Sequence, residues 1–207
     1  MEPVTPQLDE LACRARSLVD SGGRILGIAG APGSGKSTLA DGLVARIGAG
    51  ACLLPMDGFH LADDELRRRG LQHRKGAPDT FDVEGYLHTL RRVRDRQVAV
   101  LAPRFDRELE AAIAGSICVD PSVDLVITDG NYLLVRDGRW KAVARLLDEC
   151  WMLELADHER RRRLIARHEQ FGRSPDDARR WVSDVDDVNA DVVRLRSAEP
   201  NLVVAIA

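Results

Sequence analysis

Gly30-Ala31-Pro32-Gly33-Ser34-Gly35-Lys36-Ser37-Thr38 is the stretch on which the fold turns. It fits the pattern G-x-x-x-x-G-K-[ST]. The context is the confirming one: Ile25–Ala29 before it reads as a strand and Leu39–Val44 after it reads as a helix. Glycines let such a loop curl so that several backbone N–H groups converge on a phosphate. The helix that follows adds the positive end of its dipole. Gly30, Gly33, Ser34, Gly35 and Thr38 are then the cradle. Lys36 reaches the β and γ phosphates, and Ser37 holds Mg²⁺. A glycine-rich turn without a ligand is the alternative, and the flanking strand and helix weigh against it. A nucleoside triphosphate, ATP, is the expected ligand.

With 207 residues the chain has the length of one α/β domain, and a single domain over 1–207 is expected. The formal net charge of −3 argues against a polyanion-binding surface, so nucleic acid is not an expected partner. No apolar run approaches the roughly 20 residues of a membrane helix. The N-terminus does not resemble a signal peptide either, so a cytoplasmic protein with no membrane partner is expected. Lys36, Lys75 and Lys141 are the only lysines in an arginine-rich chain. Cys13, Cys52, Cys118 and Cys150 have no C-x-x-C spacing, and buried, reduced thiols are expected.

Strands and helices alternate along the sequence. A helix is expected over Pro6–Val19, a strand over Arg24–Ala29, a helix over 37–47 and a strand over Ala51–Met56 ending at Asp57. The segment 58–82 lacks a sustained period and reads as mostly irregular. A helix follows near Val83–Arg94. Further strands are expected near Val98–Leu101, Ser116–Val119, Leu125–Thr128, Trp151–Leu155 and Leu202–Ile206. Buried β-runs separated by helices predict a mainly parallel sheet with helices on both faces, a three-layer sandwich of the P-loop NTPase type.

A phosphate loop alone does not name a reaction. A metal site needs a second carboxylate at another strand end, and Asp124-Leu125-Val126-Ile127-Thr128-Asp129 supplies Asp129. Leu146-Leu147-Asp148-Glu149 imitates such an ending. However, Trp140, Val143, Ala144 and Leu147 have the spacing of an amphipathic helix, which favours Asp129. Asp57, at the end of the second expected strand, falls on the same rim of an open α/β sheet. There it can accept the proton of an attacking hydroxyl, with a plain Asp-Gly turn as the alternative.

Six blocks in order extend the pattern. After the phosphate loop come Met56-Asp57-Gly58-Phe59-His60, Arg74-Lys75-Gly76-Ala77-Pro78-Asp79-Thr80-Phe81-Asp82 and Ala102-Pro103-Arg104-Phe105-Asp106-Arg107. Asp129-Gly130-Asn131-Tyr132-Leu133-Leu134 and Arg163-Leu164-Ile165-Ala166-Arg167-His168 complete them. Together they resemble the phosphoribulokinase/uridine kinase/bacterial pantothenate kinase superfamily, nearest its small bacterial nucleoside/nucleotide kinase-like, fructokinase-like branch. The resemblance runs from Arg24 to Ala207. It implies ATP-dependent phosphorylation of a small-molecule hydroxyl, with a nucleoside or sugar as the first expectation and a pantothenate-like alcohol as an alternative. It implies that Asp57 is the catalytic base. It further implies that the segment 58–82, with His60, Lys75, Asp79, Phe81 and Asp82, surrounds the acceptor, joined by Arg104, Phe105, Asp106 and Asn131. One departure is visible: Asp129 stands where these kinases usually carry glutamate.

A lid is expected over 157–175. On a helix, Arg160, Arg163 and Arg167 form one stripe beside Leu164. Arg163 and Arg167, with Lys36, are the expected phosphate-neutralising catalytic residues, a solvated basic face being the alternative. Ser174 and Pro175 open another helix, whose stripe Trp181, Val185, Val188, Val192 and Leu195 reads as core. A homodimer is left open. A GTPase would need N-K-x-D, which is absent. An ATPase acting on nucleic acid could use Arg67–Arg69 and Arg160–Arg163, but lacks interleaved aromatics. Phe59, Phe81, Phe105 and Tyr86 are the aromatics available to stack a nucleoside base.

Overall fold

Burial at every position of ILGIAG and LVITDG leaves these strands no solvent-facing side; the first becomes the central strand of a parallel sheet and the second its neighbour. The computed structural model describes Val4 and residues 6–206; the rest of the expected 1–207 unit lies outside the described residues. In chain order the elements begin α1 (Leu8–Asp20), β1 (Ile25–Gly30), α2 (Lys36–Ile47), β2 (Ala51–Leu53), α3 (Asp63–Arg69), α4 (Val83–Asp95), β3 (Val100–Asp106) and β4 (Ala111–Val119). They continue with β5 (Leu125–Gly130), β6 (Glu149–Glu154), α5 (Asp157–Gln170), α6 (Pro175–Trp181), α7 (Asp187–Arg196) and β7 (Leu202–Ala205). The strand order is β2-β5-β1-β6-β7, all neighbours parallel, which gives the expected α/β sandwich.

Alternation along the strands feeds two cores. Ile25, Ala29, Val126 and Cys150 face α4 together with Tyr86, Leu90, Tyr132 and Trp140. Leu26, Ile28, Ile127, Trp151 and Leu153 face Leu11, Ala15, Leu18 and Leu43 of α1 and α2. The register sets Ile28 opposite Asp129 and Gly30 opposite Leu153. The ends of β1, β5 and β6 therefore share one rim. Thr128 Oγ1 donates to Leu54 O (2.6 Å) and accepts from Tyr86 Oη (2.6 Å), which ties the turn after β2 to β5.

Five expectations are corrected. The strand over 51–56 stops at Leu53, because Pro55 and a 3-10 turn over Met56–Phe59 follow. Residues 98–101 and 116–119 lie outside the main sheet. They belong to the longer strands β3 and β4, an antiparallel hairpin irregular at Pro103, which has no N–H for the ladder. The segment 58–82 is less irregular than expected. It holds α3, whose acidic start, basic end and left-handed Gly70 specify a helix although only Leu66 is buried. Trp140–Leu146 forms 3-10 turns and not an amphipathic helix. Of the cysteines only Cys150 is buried, while Cys13 and Cys118 are exposed and all four are free. Asp148 accepts from the N–H groups of Arg24 and Ile25 (2.8 Å each), at the rim opposite the phosphate loop. No helix of the described residues is long and apolar enough to cross a membrane.

Gly58 locks the turn after β2 to the hairpin: a Cβ there would lie 2.2 Å from Pro103 O. Gly58→Ala is therefore expected to lower the unfolding free energy by about 1–3 kcal/mol in urea titration, since rigid backbone cannot yield. Gly42→Ala, in mid-α2 with only ordinary contacts to Leu8, should instead raise it by about 0.5–1 kcal/mol. Equal effects at the two positions would contradict this packing.

Candidate active site

The loop between β1 and α2 wraps as its glycines permit. Gly33 (φ +80°) and Gly35 (φ +95°) occupy the left-handed region that favours glycine. Gly33 is also a contact point. A Cβ there would lie 2.7 Å from Leu164 Cγ and 3.1 Å from Arg160 O, so α5 is seated directly on the loop. Arg160, 2% exposed, fastens this arrangement. Its guanidinium pairs with Asp157 (3.2 Å) and Asp187 and reaches Pro32 O (3.5 Å).

Within the loop, Lys36 is buried and its Nζ donates to Ala31 O (2.9 Å). Burial pulls its pKa down to about 8, against the opposing pull of the Asp129 and Asp57 carboxylates. Ser37 Oγ donates to Asp129 Oδ2 at 2.7 Å. Asp129 Oδ1 is buried with no partner among the described residues. Burial first, and then the charge of Asp57, push the Asp129 carboxyl above its ordinary range. An orphaned carboxylate oxygen beside a serine hydroxyl at a strand end is a donor set that suits a hard divalent cation.

Asp57 sits in the 3-10 turn after β2 and enters the same cavity, about 500 Å³ in volume, as Lys36, Ser37 and Asp129. Its Oδ2 lies 3.3 Å from Arg107 Nη2 at the hairpin turn. His60 Nδ1–H donates to the Asp57 carbonyl (2.8 Å), which fixes the tautomer, and burial holds the ring toward its neutral form. His60 packs between Phe81 and Phe105, at 4.0 and 4.8 Å between ring centroids. Lys75 Nζ donates to Asp63 Oδ1 and Glu110 O (2.7 Å each) above the Phe105 ring.

Of the residues expected at the acceptor, His60, Lys75, Phe105 and Asn131 line this cavity with Asp57. The others have different surroundings. Asp79 pairs with Arg74 (2.7 Å) at the surface. Asp82 caps α4 by accepting from Gly85 N–H (2.9 Å). Asp106 accepts from the N–H groups of Glu108 and Leu109 (2.9 Å each) and so shapes the hairpin turn. Phe81 is packed among Tyr132, Trp140 and His60, and Arg104 is exposed. In the lid stripe Arg167 lines the cavity. Arg163 is bound to Glu159 (2.8 Å) beside Gly35, and Arg160 is consumed by its ion pairs.

The expected core stripe of the last helix is corrected. Val182–Asp186 forms a π-helical turn, which inserts one residue and shifts the phase. Val185 and Val193 are buried, whereas Val188 and Leu195 are exposed. Trp181, Asp186 and Asn189 are cavity walls, the last of them beyond the shift. Asp186 Oδ2 accepts a hydrogen bond from His168 Nε2–H at 2.8 Å. Arg107, Arg173, Trp181, Asp186 and Asn189 were not anticipated as site residues. A helical wheel cannot anticipate a π turn, and Arg107 carried only its place beside Asp106 as a signal.

No family model matches the chain. Among individual proteins, "Putative uridine kinase C227.14" of Schizosaccharomyces pombe is 34% identical over 179 residues, covering 80% of this chain and 75% of that protein. The pantothenate kinase of Mycolicibacterium vanbaalenii is 32% identical over 115 residues, 53% of this chain and 37% of its own length. The solved structure of a "putative fructose transport system kinase" from Silicibacter sp. TM1040 superposes with a TM-score of 0.88 at 35% identity, covering 96% of this chain and 98% of that one. The chain belongs to the uridine kinase-like P-loop kinases, the superfamily that includes phosphoribulokinase and bacterial pantothenate kinase. It is a phosphotransferase with an alcohol group as acceptor.

Lys36 must be protonated to face phosphate, and with its pKa near 8 it loses that charge as pH rises through this value. kcat/KM for ATP, which reports the free enzyme, should therefore fall above about pH 8. kcat should fall only at higher pH, because bound phosphates hold the proton. A kcat/KM that stays flat into the ordinary lysine range would contradict this environment.

Proposed function

We propose that the chain transfers the γ-phosphate of ATP to a hydroxyl of a small sugar-like acceptor, with Asp57 as the base. The observation that carries this reading is that Lys36, the unpartnered Asp129 oxygen and Asp57 open into one cavity. Ser37 and Asp129 would hold Mg²⁺, which supplies charge neutralisation at the phosphates when bound. Lys36, Arg163 and Arg167 answer the remaining phosphate charge. Arg167 has no carboxylate within ion-pair distance among the described residues and is free to do so. The acceptor oxygen gives its proton to Asp57 Oδ2 as the bond to phosphorus forms. Arg107 holds that carboxylate in place before the acceptor arrives. Residues 58–82 contribute the acceptor wall, 157–175 act as the lid, and the domain is one unit.

Of the four aromatics expected to stack a nucleoside base, none presents a free face to the cavity, which favours a sugar-like acceptor. Phe59, Phe81 and Tyr86 are buried in the core. Phe105 lines the cavity, but its ring is covered by His60 and Lys75. The arginine runs support a small-molecule acceptor over nucleic acid. Arg67, Arg68 and Arg69 pair with Asp64 and Glu65, and Arg161 and Arg162 pair with Asp187 and Glu159.

Asp57→Asn retains shape and removes the basic charge. Mg-ATP affinity should stay within a few-fold while kcat falls by about 10²–10⁴-fold. Titration of a fluorescent Mg-ATP analogue beside steady-state kinetics decides it. A parallel loss of nucleotide affinity would place Asp57 in the metal shell and overturn its role as base.

A further inference from the structure

Most charges that line the cavity are already matched. Asp57 is paired with Arg107, Lys75 with Asp63 and Glu110, and Asp186 with His168. Lys36, Asp129 and Arg167 lie where the nucleotide phosphates and magnesium would be met. One cation is left over. Arg173 lines the cavity and has no carboxylate within ion-pair distance among the described residues. Its guanidinium carbon lies over the Trp181 ring, 3.9 Å from the centroid, on an otherwise exposed side chain. Stacking of this kind holds the plane rigid while leaving the N–H edge free for a forked contact with two oxygens.

Position along the lid separates Arg173 from the phosphate end. Leu164 touches the loop at Gly33, Arg167 stands one turn further on, and Arg173 follows the end of α5, where its N–H donates to His168 O (3.1 Å). The wall beside it is polar. Asn189, 3% exposed, lines the cavity and makes no side-chain hydrogen bond to the described residues. A Cβ at Gly76, across the cavity, would lie 3.9 Å from its Nδ2. An amide that lines the cavity without a side-chain partner offers both a donor and an acceptor to a ligand. An amide donor and a stacked, unpaired guanidinium on one wall form a site for oxygens bearing negative charge.

Resting on the kinase reading above, we propose that the acceptor is a hydroxylated anion whose carboxylate or phosphate is held by Arg173 and Asn189. The hydroxyl end then lies toward Asp57 and the anionic end toward the lid. A neutral sugar or nucleoside would leave the charge of Arg173 unmatched.

The test is a coupled ADP-release assay with three arms: hydroxy acids such as gluconate and glycerate, sugar phosphates such as fructose 6-phosphate, and neutral fructose, glucose and uridine. Stimulation is expected in one of the two anionic arms, and which arm responds distinguishes carboxylate from phosphate. Arg173→Gln should then raise KM for that acceptor by about tenfold or more, the scale of a lost charged hydrogen bond. Arg173→Lys should recover part of the loss, and KM for ATP should stay within about twofold, the nucleotide end being untouched. Efficient turnover of a neutral acceptor with the anions inert would overturn the inference and leave the kinase reading standing. An unchanged acceptor KM in Arg173→Gln would also overturn it. Silence in all three arms, with ATP still bound, would overturn the kinase reading and the inference together.

Discussion

The seating of α5 on the phosphate loop at Gly33 is the contact on which the rest of the site depends. A side chain at that position would displace Leu164, and with it the helix that carries Arg160, Arg163 and Arg167. Arg160 spans the contact from the α5 side by bonding the loop at Pro32 and α7 at Asp187. One buried guanidinium thus ties the loop, α5 and α7 into a single frame. Arg167, two turns along from Arg160, is aimed into the cavity as a consequence of that frame.

The opposite wall is held just as closely, by contacts to backbone beside the ion pairs of Asp57 and Lys75. Gly58 lies against Pro103, Thr128 bonds Leu54, and Tyr132 Oη donates to Gly76 O at 2.5 Å. These contacts bring the turn carrying Asp57, the hairpin carrying Arg107 and the segment carrying Lys75 onto the strand ends. The cavity between the two walls contains groups whose ionisation is already perturbed. Lys36 is pulled down and Asp129 is pushed up, each by burial first. Both shifts disfavour the charged form, and perturbed groups gathered in one cavity mark a candidate site.

Much of this was legible in the residues alone. The phosphate loop announced itself by pattern and context, and Asp129 and Asp57 by following apolar runs expected to be strands, although the strand before Asp57 stops at Leu53. The parallel sheet followed from the uninterrupted burial of β1 and β5. What sequence reasoning missed depends on non-local geometry. The hairpin of β3 and β4 stands apart from the main sheet, which no local pattern encodes. The π turn at Val182–Asp186 moves Asn189 inward and Val188 outward, against the helical period. Asp79, Asp82 and Asp106 fall in motif blocks yet meet a surface arginine or backbone N–H groups. Spacing gives the place of a carboxylate along the chain but not its partner.

The most direct measurement follows the γ-phosphate itself. ATP labelled at that position is incubated with the protein, magnesium and a mixture of hydroxyl acceptors, and the products are separated. The expected result is label in an acid-stable phosphate ester, formed in step with ADP. Label appearing only as inorganic phosphate, at an equal rate with and without acceptors, would contradict phosphoryl transfer over Asp57 and leave a simple ATPase.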